Sequence, residues 1–242
     1  MKTAEWFKDW LNSPYYHLLY NNRNANEATF FIDNLCSHLN LETNARVWDL
    51  ACGKGRHALA LNKKGFNVIG TDLSRNSIKA AKNNNETLDF FVHDMREPFR
   101  VNYFDAVFNL FTSFGYFENF NDNFSVFKNV AKSLKPNGVF VVDFFNTKKV
   151  MDSLMSHYTE DRGDIIFNIE KKVTGNAIVK HIEFNDNNKH YYFEETVSLF
   201  KKEDFENFAK AAGLKIENVF GNYQLEAFDQ TASERLILVF KK

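Results

Sequence analysis

The chain has 242 residues, 44% of them hydrophobic, which suffices for one large domain with a full core and excludes a disordered chain. A net charge of −1 argues against a nucleic-acid partner, which leaves a basic footprint. Two cysteines make no disulfide framework, no Cys/His group has zinc spacing so no metal site is expected, and no apolar run reaches the length of a membrane span.

The start, MKTAEWFKDW, is broken by charge every few residues and does not read as a signal peptide, so the expected compartment is the cytoplasm. Residues 4–11 form a short amphipathic helix. Residues 24–39 form a longer one, with Ala28, Phe31, Ile32 and Leu35 on one face. The stretch between them, SPYYHLLYNNR, is rich in aromatics and turn formers.

From Ala45 strands and helices alternate. Residues 46–50 read as a strand that ends in a glycine loop, and residues 56–64 as a helix stopped by Gly65. Residues 66–70 are a second strand, and Ser74 caps a helix that runs to about residue 83. Residues 88–92 and 104–111 are the third and fourth strands. Phe120, Phe124, Phe127, Val130, Ala131 and Leu134 mark one helical face, and Pro136-Asn137-Gly138 turns the chain into residues 139–145. That almost unbroken apolar run suits a strand buried on both faces. After Lys148 the rhythm changes to an antiparallel meander: strands at residues 165–173, 177–184 and 190–199, turned at Gly175-Asn176 and at residues 185–188. A helix over residues 202–212, ended by Gly213, and two strands at 215–220 and 235–240 close the chain. The expected architecture is α/β, a doubly wound, mostly parallel sheet with an inserted antiparallel meander. It forms a single domain over residues 1–242, made of an N-terminal helical cap (1–41), a core (42–148 and 200–242) and the insertion at about 160–199.

The chemistry concentrates in VWDLACGKGRHALAL, residues 47–61. Gly53-x-Gly55-x-x-Ala58 is close to the pattern that cradles a dinucleotide pyrophosphate. Asp72 follows Gly53 by 72 − 53 = 19 residues, the place of the acidic residue that accepts hydrogen bonds from ribose hydroxyls. Asp49, four residues before the first glycine, would repel a pyrophosphate but suits a nucleoside whose far end is cationic. S-adenosylmethionine, with its sulfonium and ammonium, is such a ligand.

These residues resemble the class I S-adenosylmethionine-dependent methyltransferases, in a bacterial small-molecule branch. VWDLACGKGRHALAL is similar to their first motif, VIGTDLS (residues 68–74) to their acidic second motif, and HDMR (93–96) to the segment along the adenine. FDAVFNLFTSFGYF (104–117), LKPNGVFVVDFFN (134–146) and the terminal SERLILV fit the same family. The loop reads GKG where the family more often has GTG, which puts Lys54 near the cationic end of the ligand.

The resemblance implies a seven-stranded sheet with an antiparallel last strand. It implies backbone contact of Ala51, Cys52 and Gly53 with the methionine moiety, Asp72 on the ribose and Leu73 against the adenine. Asp94 would accept from the adenine amino group and the Met95 N–H would meet a ring nitrogen, with Asn109 and Leu110 near the sulfonium. Asp49 would orient the loop or face the ammonium; Tyr20 and Arg23 would close over the cofactor, Arg23 on its carboxylate. Phe114 and Tyr116, then Tyr15 and Tyr16, are the candidate acceptor walls, and their aromatic faces also suit cationic amines. His57 and His93 are read as structural, and no catalytic residue is named, because in-line methyl transfer requires alignment above all. The implied cofactor is S-adenosylmethionine, the product S-adenosylhomocysteine and the partner a small-molecule acceptor. An NAD-dependent oxidoreductase and a non-catalytic S-adenosylmethionine-binding module stay open as alternatives, RNA methylation is the poorest reading, and the insertion is open to the roles of lid, substrate platform or homodimer contact.

Overall fold

The computed structural model describes residues 6–20 and 25–242. The chain begins with three helices, α1 (Trp6–Asn12), α2 (Pro14–Leu19) and α3 (Ala25–Leu39). Strand and helix then alternate through β1 (Arg46–Leu50), α4 (Arg56–Lys63), β2 (Asn67–Asp72), α5 (Arg75–Asn84), β3 (Asp89–Val92), β4 (Phe104–Asn109), α6 (Phe120–Ser133) and β5 (Leu134–Phe145). After α7 (Thr147–Asp152) come β6 (His157–Asp161), β7 (Ile166–Thr174), β8 (Ala177–Asp186) and β9 (Lys189–Ser198). The chain closes with α8 (Lys202–Ala212), β10 (Lys215–Phe220) and β11 (Arg235–Lys241).

The large sheet has seven strands in the order β10-β11-β5-β4-β1-β2-β3. Only β11 runs antiparallel to its neighbours, β10 and β5. Alternate residues of the central strands feed two cores. On one face Val47, Phe108, Val141 and Val239 meet Phe31 and Leu35 of α3, Leu61 of α4 and Ile78 of α5. On the other, Trp48, Val107, Phe140 and Leu238 meet Phe127 of α6 and Phe205 and Phe208 of α8. Residues buried on both faces explain why β5 reads as an unbroken apolar run.

β6, β7, β8 and β9 form a second, antiparallel sheet in that order, and its Phe167, Ile182 and Phe184 join the same core as Trp10 and Leu19. Side chains tie it to the N-terminal helices. Trp10 Nε1 donates to Glu195 Oε1 at 2.5 Å, Tyr15 OH to Asp186 Oδ2 at 2.7 Å and Arg162 Nε to the Leu19 carbonyl at 3.0 Å. The start of α5 also holds α1: Ser74 Oγ donates to the Leu11 carbonyl at 2.9 Å and Asn76 Nδ2 to that of Asn12 at 2.6 Å.

Four local expectations change. The stretch read as an aromatic turn is helix α2, capped by Ser13 with Pro14 in its first turn. α7 forms on an Asn146 cap, and the meander gains a fourth strand, β6, so that it spans residues 157–198. Pro136-Asn137-Gly138 lies within β5 as an irregularity: Asn137 has φ 65°, and the β4–β5 register shifts nearby.

Candidate functional site

In a parallel sheet the carboxyl ends of the strands open onto one edge, and ligands bind there. A cavity of about 320 Å³ lies at that edge, walled by the ends of β1, β2 and β4, the start of α4 and the helices α1 and α2. Its lining includes Ala51, Cys52, Gly53, Asp72, Leu73, His93, Asp94 and Met95. The rings of Phe7, Tyr16, His17, Tyr20, Phe111, Tyr116 and Phe117 line it as well, and so do Lys54, Arg56 and His57.

The glycine loop is built from left-handed backbone: φ is 63° at Ala51, 56° at Gly53 and 82° at Gly55. A Cβ on Gly53 would touch no protein atom within 4 Å. Packing therefore does not require that glycine; the left-handed conformation and the cavity space beside it do. Gly55 caps α4 without a side chain, and a Cβ there would come within 2.8 Å of the Phe90 ring.

Asp72 ends β2 and clamps this loop. Its Oδ2 accepts from the Gly53 N–H and its Oδ1 from the Ser74 N–H, both at 2.8 Å. Asp49 lies beneath the loop, 1% exposed and outside the cavity wall. Burial drives its carboxyl up to about 7, against a hydrogen bond from the Ala58 backbone; nearby Asp72 pushes the same way and Arg56 opposes. Among the described residues its Oδ2 has no hydrogen-bond partner. A buried, under-satisfied carboxyl below the floor of a cavity fits a ligand with a cationic end. The open space at Gly53 and the clamp at Asp72 fit the ribose and methionine parts of S-adenosylmethionine.

Asp94 is held by Arg96, whose Nη2 lies 2.6 Å from Oδ2. Burial works to raise this carboxyl, but the Arg96 hydrogen bonds outweigh it and hold it below its ordinary value. The same guanidinium stacks 4.8 Å from the centre of the Phe117 ring. His93 packs against Trp48 and Phe99, and burial lowers its pKa. Tyr20 donates to both oxygens of Glu195 at 2.8 Å and accepts from Lys180 Nζ. Burial and then Glu195 push its hydroxyl well above the usual tyrosine range.

Of the residues expected at the site, Tyr16, Tyr20, Ala51, Cys52, Gly53, Asp72, Leu73, Asp94, Met95, Leu110 and Tyr116 line the cavity. Four lie elsewhere. Asp49 sits below the loop, and Asn109 is buried with its Nδ2 donating to the Leu50 carbonyl at 3.0 Å. Tyr15 stacks on Phe184 and Tyr191. Phe114 is fully buried among Phe127, Phe200, Phe205 and Phe208. Phe114 and Tyr116 part company because Gly115 between them has φ 90°, which breaks the alternation of an extended chain. Arg23 lies outside the described residues. The sequence reading did not single out Phe7, His17, Phe111 or Phe117 as wall residues; their only signal was membership in aromatic stretches beside the motifs.

Comparison with known proteins gives three results. Residues 48–142 match the family model described as a methyltransferase domain. YqeM of Bacillus subtilis (strain 168), whose name makes it a methyltransferase and states no acceptor, is 29% identical over 213 residues, 84% of this chain and 86% of that protein. The dTDP-3-amino-3,4,6-trideoxy-alpha-D-glucopyranose N,N-dimethyltransferase of Streptomyces venezuelae is 28% identical and covers 72% of this chain and 76% of its own. Among solved structures, an S-adenosylmethionine-dependent methyltransferase from Clostridium acetobutylicum ATCC 824 shares the fold with a TM-score of 0.79 at 24% identity, over 94% of this chain and 95% of that one. Streptomyces venezuelae DesVI follows with a TM-score of 0.68 at 25% identity, over 93% and 95% of the two chains.

Proposed function

The chain is a class I S-adenosylmethionine-dependent methyltransferase, and from that premise we propose that it methylates a small molecule whose reacting group is an amine. The supporting observation is the aromatic share of the cavity lining, to which Tyr16, Tyr20, Tyr116, Phe7 and Phe117 contribute. Aromatic faces attract an ammonium before it sheds its proton and still pack against the neutral amine that attacks. The amino-sugar N,N-dimethyltransferase among the relatives points the same way.

When bound, the cofactor supplies an electrophilic methyl group on a sulfonium. This chain's residues hold, align and shield. Ala51, Cys52 and Gly53 would hold the methionine moiety and Asp72 the ribose hydroxyls; Leu73 would cover the adenine, with Asp94 and the Met95 N–H as its polar partners, and all of these residues line the cavity. Leu110, which lines the cavity at the end of β4, would stand near the sulfonium, and Asn109 acts one step back by fixing the Leu50 carbonyl. Asp49 acts through space from beneath the loop. Alignment of this kind supplies roughly 7–11 kcal/mol of a bimolecular barrier.

On this reading residues 1–242 form one methyltransferase domain. The protein works in the cytoplasm, as its two free thiols, Cys36 and Cys52, suit a reducing compartment. It takes no nucleic acid, as its near-neutral charge suggests. No helix among the described residues is long and apolar enough to cross a membrane.

The test is turnover of S-adenosylmethionine against a panel of amines, phenols and carboxylates, read as S-adenosylhomocysteine formed. Amines are the expected acceptors. Turnover confined to phenols or carboxylates overturns the acceptor class. Calorimetry without affinity for either form of the cofactor overturns the whole reading, and NADH fluorescence should stay flat on titration.

A further inference from the structure

The end of β4 carries a strained turn. Phe111 and Thr112 are consecutive side-chain-bearing residues in the left-handed region, with φ 63° and 57°. Such a conformation is uncommon for any residue but glycine and an outlier for a β-branched one, so something must hold it. The turn is also the wall of the cavity: Leu110, Phe111 and Ser113 line it. The Phe111 ring lies 4.2 Å from the Arg56 guanidinium, so it touches the helix that follows the glycine loop. A shift of the turn would change the width of the cavity between β4 and α4.

The grip comes from the next strand. Asp143, on β5, is fully buried. Its Oδ2 accepts from the Phe111 N–H at 2.8 Å and from Tyr223 OH at 3.2 Å. Its Oδ1 accepts from Arg235 Nε at 2.7 Å, and its own carbonyl accepts from the Thr112 N–H at 2.9 Å. Arg235, on β11, completes the clamp by donating from Nη2 to Thr112 Oγ1 at 3.0 Å. A buried ion pair is a poor way to gain stability when apolar side chains would fill the same space. This one spends its hydrogen bonds on two adjacent strained residues at the cavity wall.

We infer that Asp143 is a positioning residue for methyl transfer: with Arg235 it holds Phe111 and Thr112 in the left-handed turn that sets the width of the cavity. The inference rests on the cofactor reading above, since the cavity it shapes is the one assigned to S-adenosylmethionine and its acceptor.

The test uses S-adenosylhomocysteine as the probe and calorimetry as the readout. In Asp143→Asn the amide is isosteric, but if its oxygen stays on Arg235 its NH2 faces the Phe111 N–H, and the turn relaxes. Affinity is expected to fall about 10-fold while unfolding stays cooperative. Adding Thr112→Gly, which adopts the left-handed conformation without strain, should restore most of the affinity in the Asp143→Asn background. A residue that merely supports the core would not be rescued by a glycine in the turn. Should Asp143→Asn fail to fold, Arg235→Lys keeps the charge opposite Asp143 but removes the fork that reaches Thr112, and the same loss and rescue are expected. Unchanged affinity in the single variant, or a loss that Thr112→Gly does not repair, overturns the inference. A wild-type protein that does not bind the probe instead overturns the cofactor reading, which separates the two failures.

Discussion

Two aspartates flank the glycine loop, and they differ in what their oxygens touch. Asp72 accepts two backbone N–H groups, so truncating it removes the proposed ribose acceptor and also loosens Gly53 and Ser74. Charge-assisted bonds of this kind are worth about 1.5–3 kcal/mol, so Asp72→Ala should weaken S-adenosylhomocysteine binding about 10- to 100-fold by calorimetry, with Asp72→Asn between it and the wild type. Asp49 is instead pushed up to about 7 by burial. Its unfolded carboxyl titrates near 4. Between those values the unfolded chain gives up a proton that the folded chain keeps, so the free protein loses stability as pH rises through that window. Asp49→Asn should flatten that part of the stability profile in denaturant titrations at stepped pH. A cationic ligand reverses the sign, because it favours the ionised carboxyl. Affinity for S-adenosylmethionine should therefore rise from about pH 5.5 to 7.5 in the wild type and lose that rise in Asp49→Asn. The presence of both aspartates was legible from their spacing to Gly53. The lone Oδ2 of Asp49 was not, since burial is set by strands β2 and β4 on either side, at Gly70 and Phe108.

At the scale of elements, the antiparallel sheet and the N-terminal helices act on one another through Glu195. This residue takes the indole N–H of Trp10 from α1, the hydroxyl of Tyr20 just after α2, and faces Lys180 of β8 at 3.4 Å. Removing it leaves a buried ammonium and two donors without their acceptor. Glu195→Ala should cost about 3–5 kcal/mol in urea unfolding. Glu195→Gln, which keeps an acceptor for Trp10 or Tyr20, should cost markedly less. None of this pairing was visible in the sequence, because the partners stand 185 and 175 residues apart. Local signals did better where they were self-contained. Ser74 capping α5 and Gly213 ending α8 at φ 77° follow from residue type alone. Ser13-Pro14 carried the same kind of signal for α2, but the tyrosines and asparagines around it read as turn formers. β6 lacked an apolar alternation to announce it: HYTED is polar, and pairing with β7 makes it a strand.

At the scale of the molecule, the doubly wound, mostly parallel sheet was legible from the alternation of strands and helices, and the family resemblance implied seven strands with an antiparallel last one; the strand order itself emerges only from the pairings. The placement of the second sheet was not legible either, because it depends on Phe167, Ile182 and Phe184 sharing a core with Trp10 and Leu19, and such a core has no sequence period. That arrangement has a thermodynamic consequence. The cavity joins β1, β2, β4 and α4 with the N-terminal helices, so one ligand touches parts of the chain that lie far apart in sequence. A ligand bound only by the folded state adds about 2.7 kcal/mol at 100 times its dissociation constant. For a domain of this size each kcal/mol moves the midpoint by about 2–4 °C, so S-adenosylhomocysteine at that excess should raise Tm by roughly 5–10 °C. NADH at the same concentration should leave it in place, because its pyrophosphate adds negative charge beside Asp72 and Asp49 and the ligand carries no sulfonium or ammonium of its own. In the Asp72→Ala protein the S-adenosylhomocysteine shift at fixed ligand concentration should shrink by about the free energy of the lost affinity. A full-sized shift in that variant would mean that the ligand is held somewhere other than against the second strand.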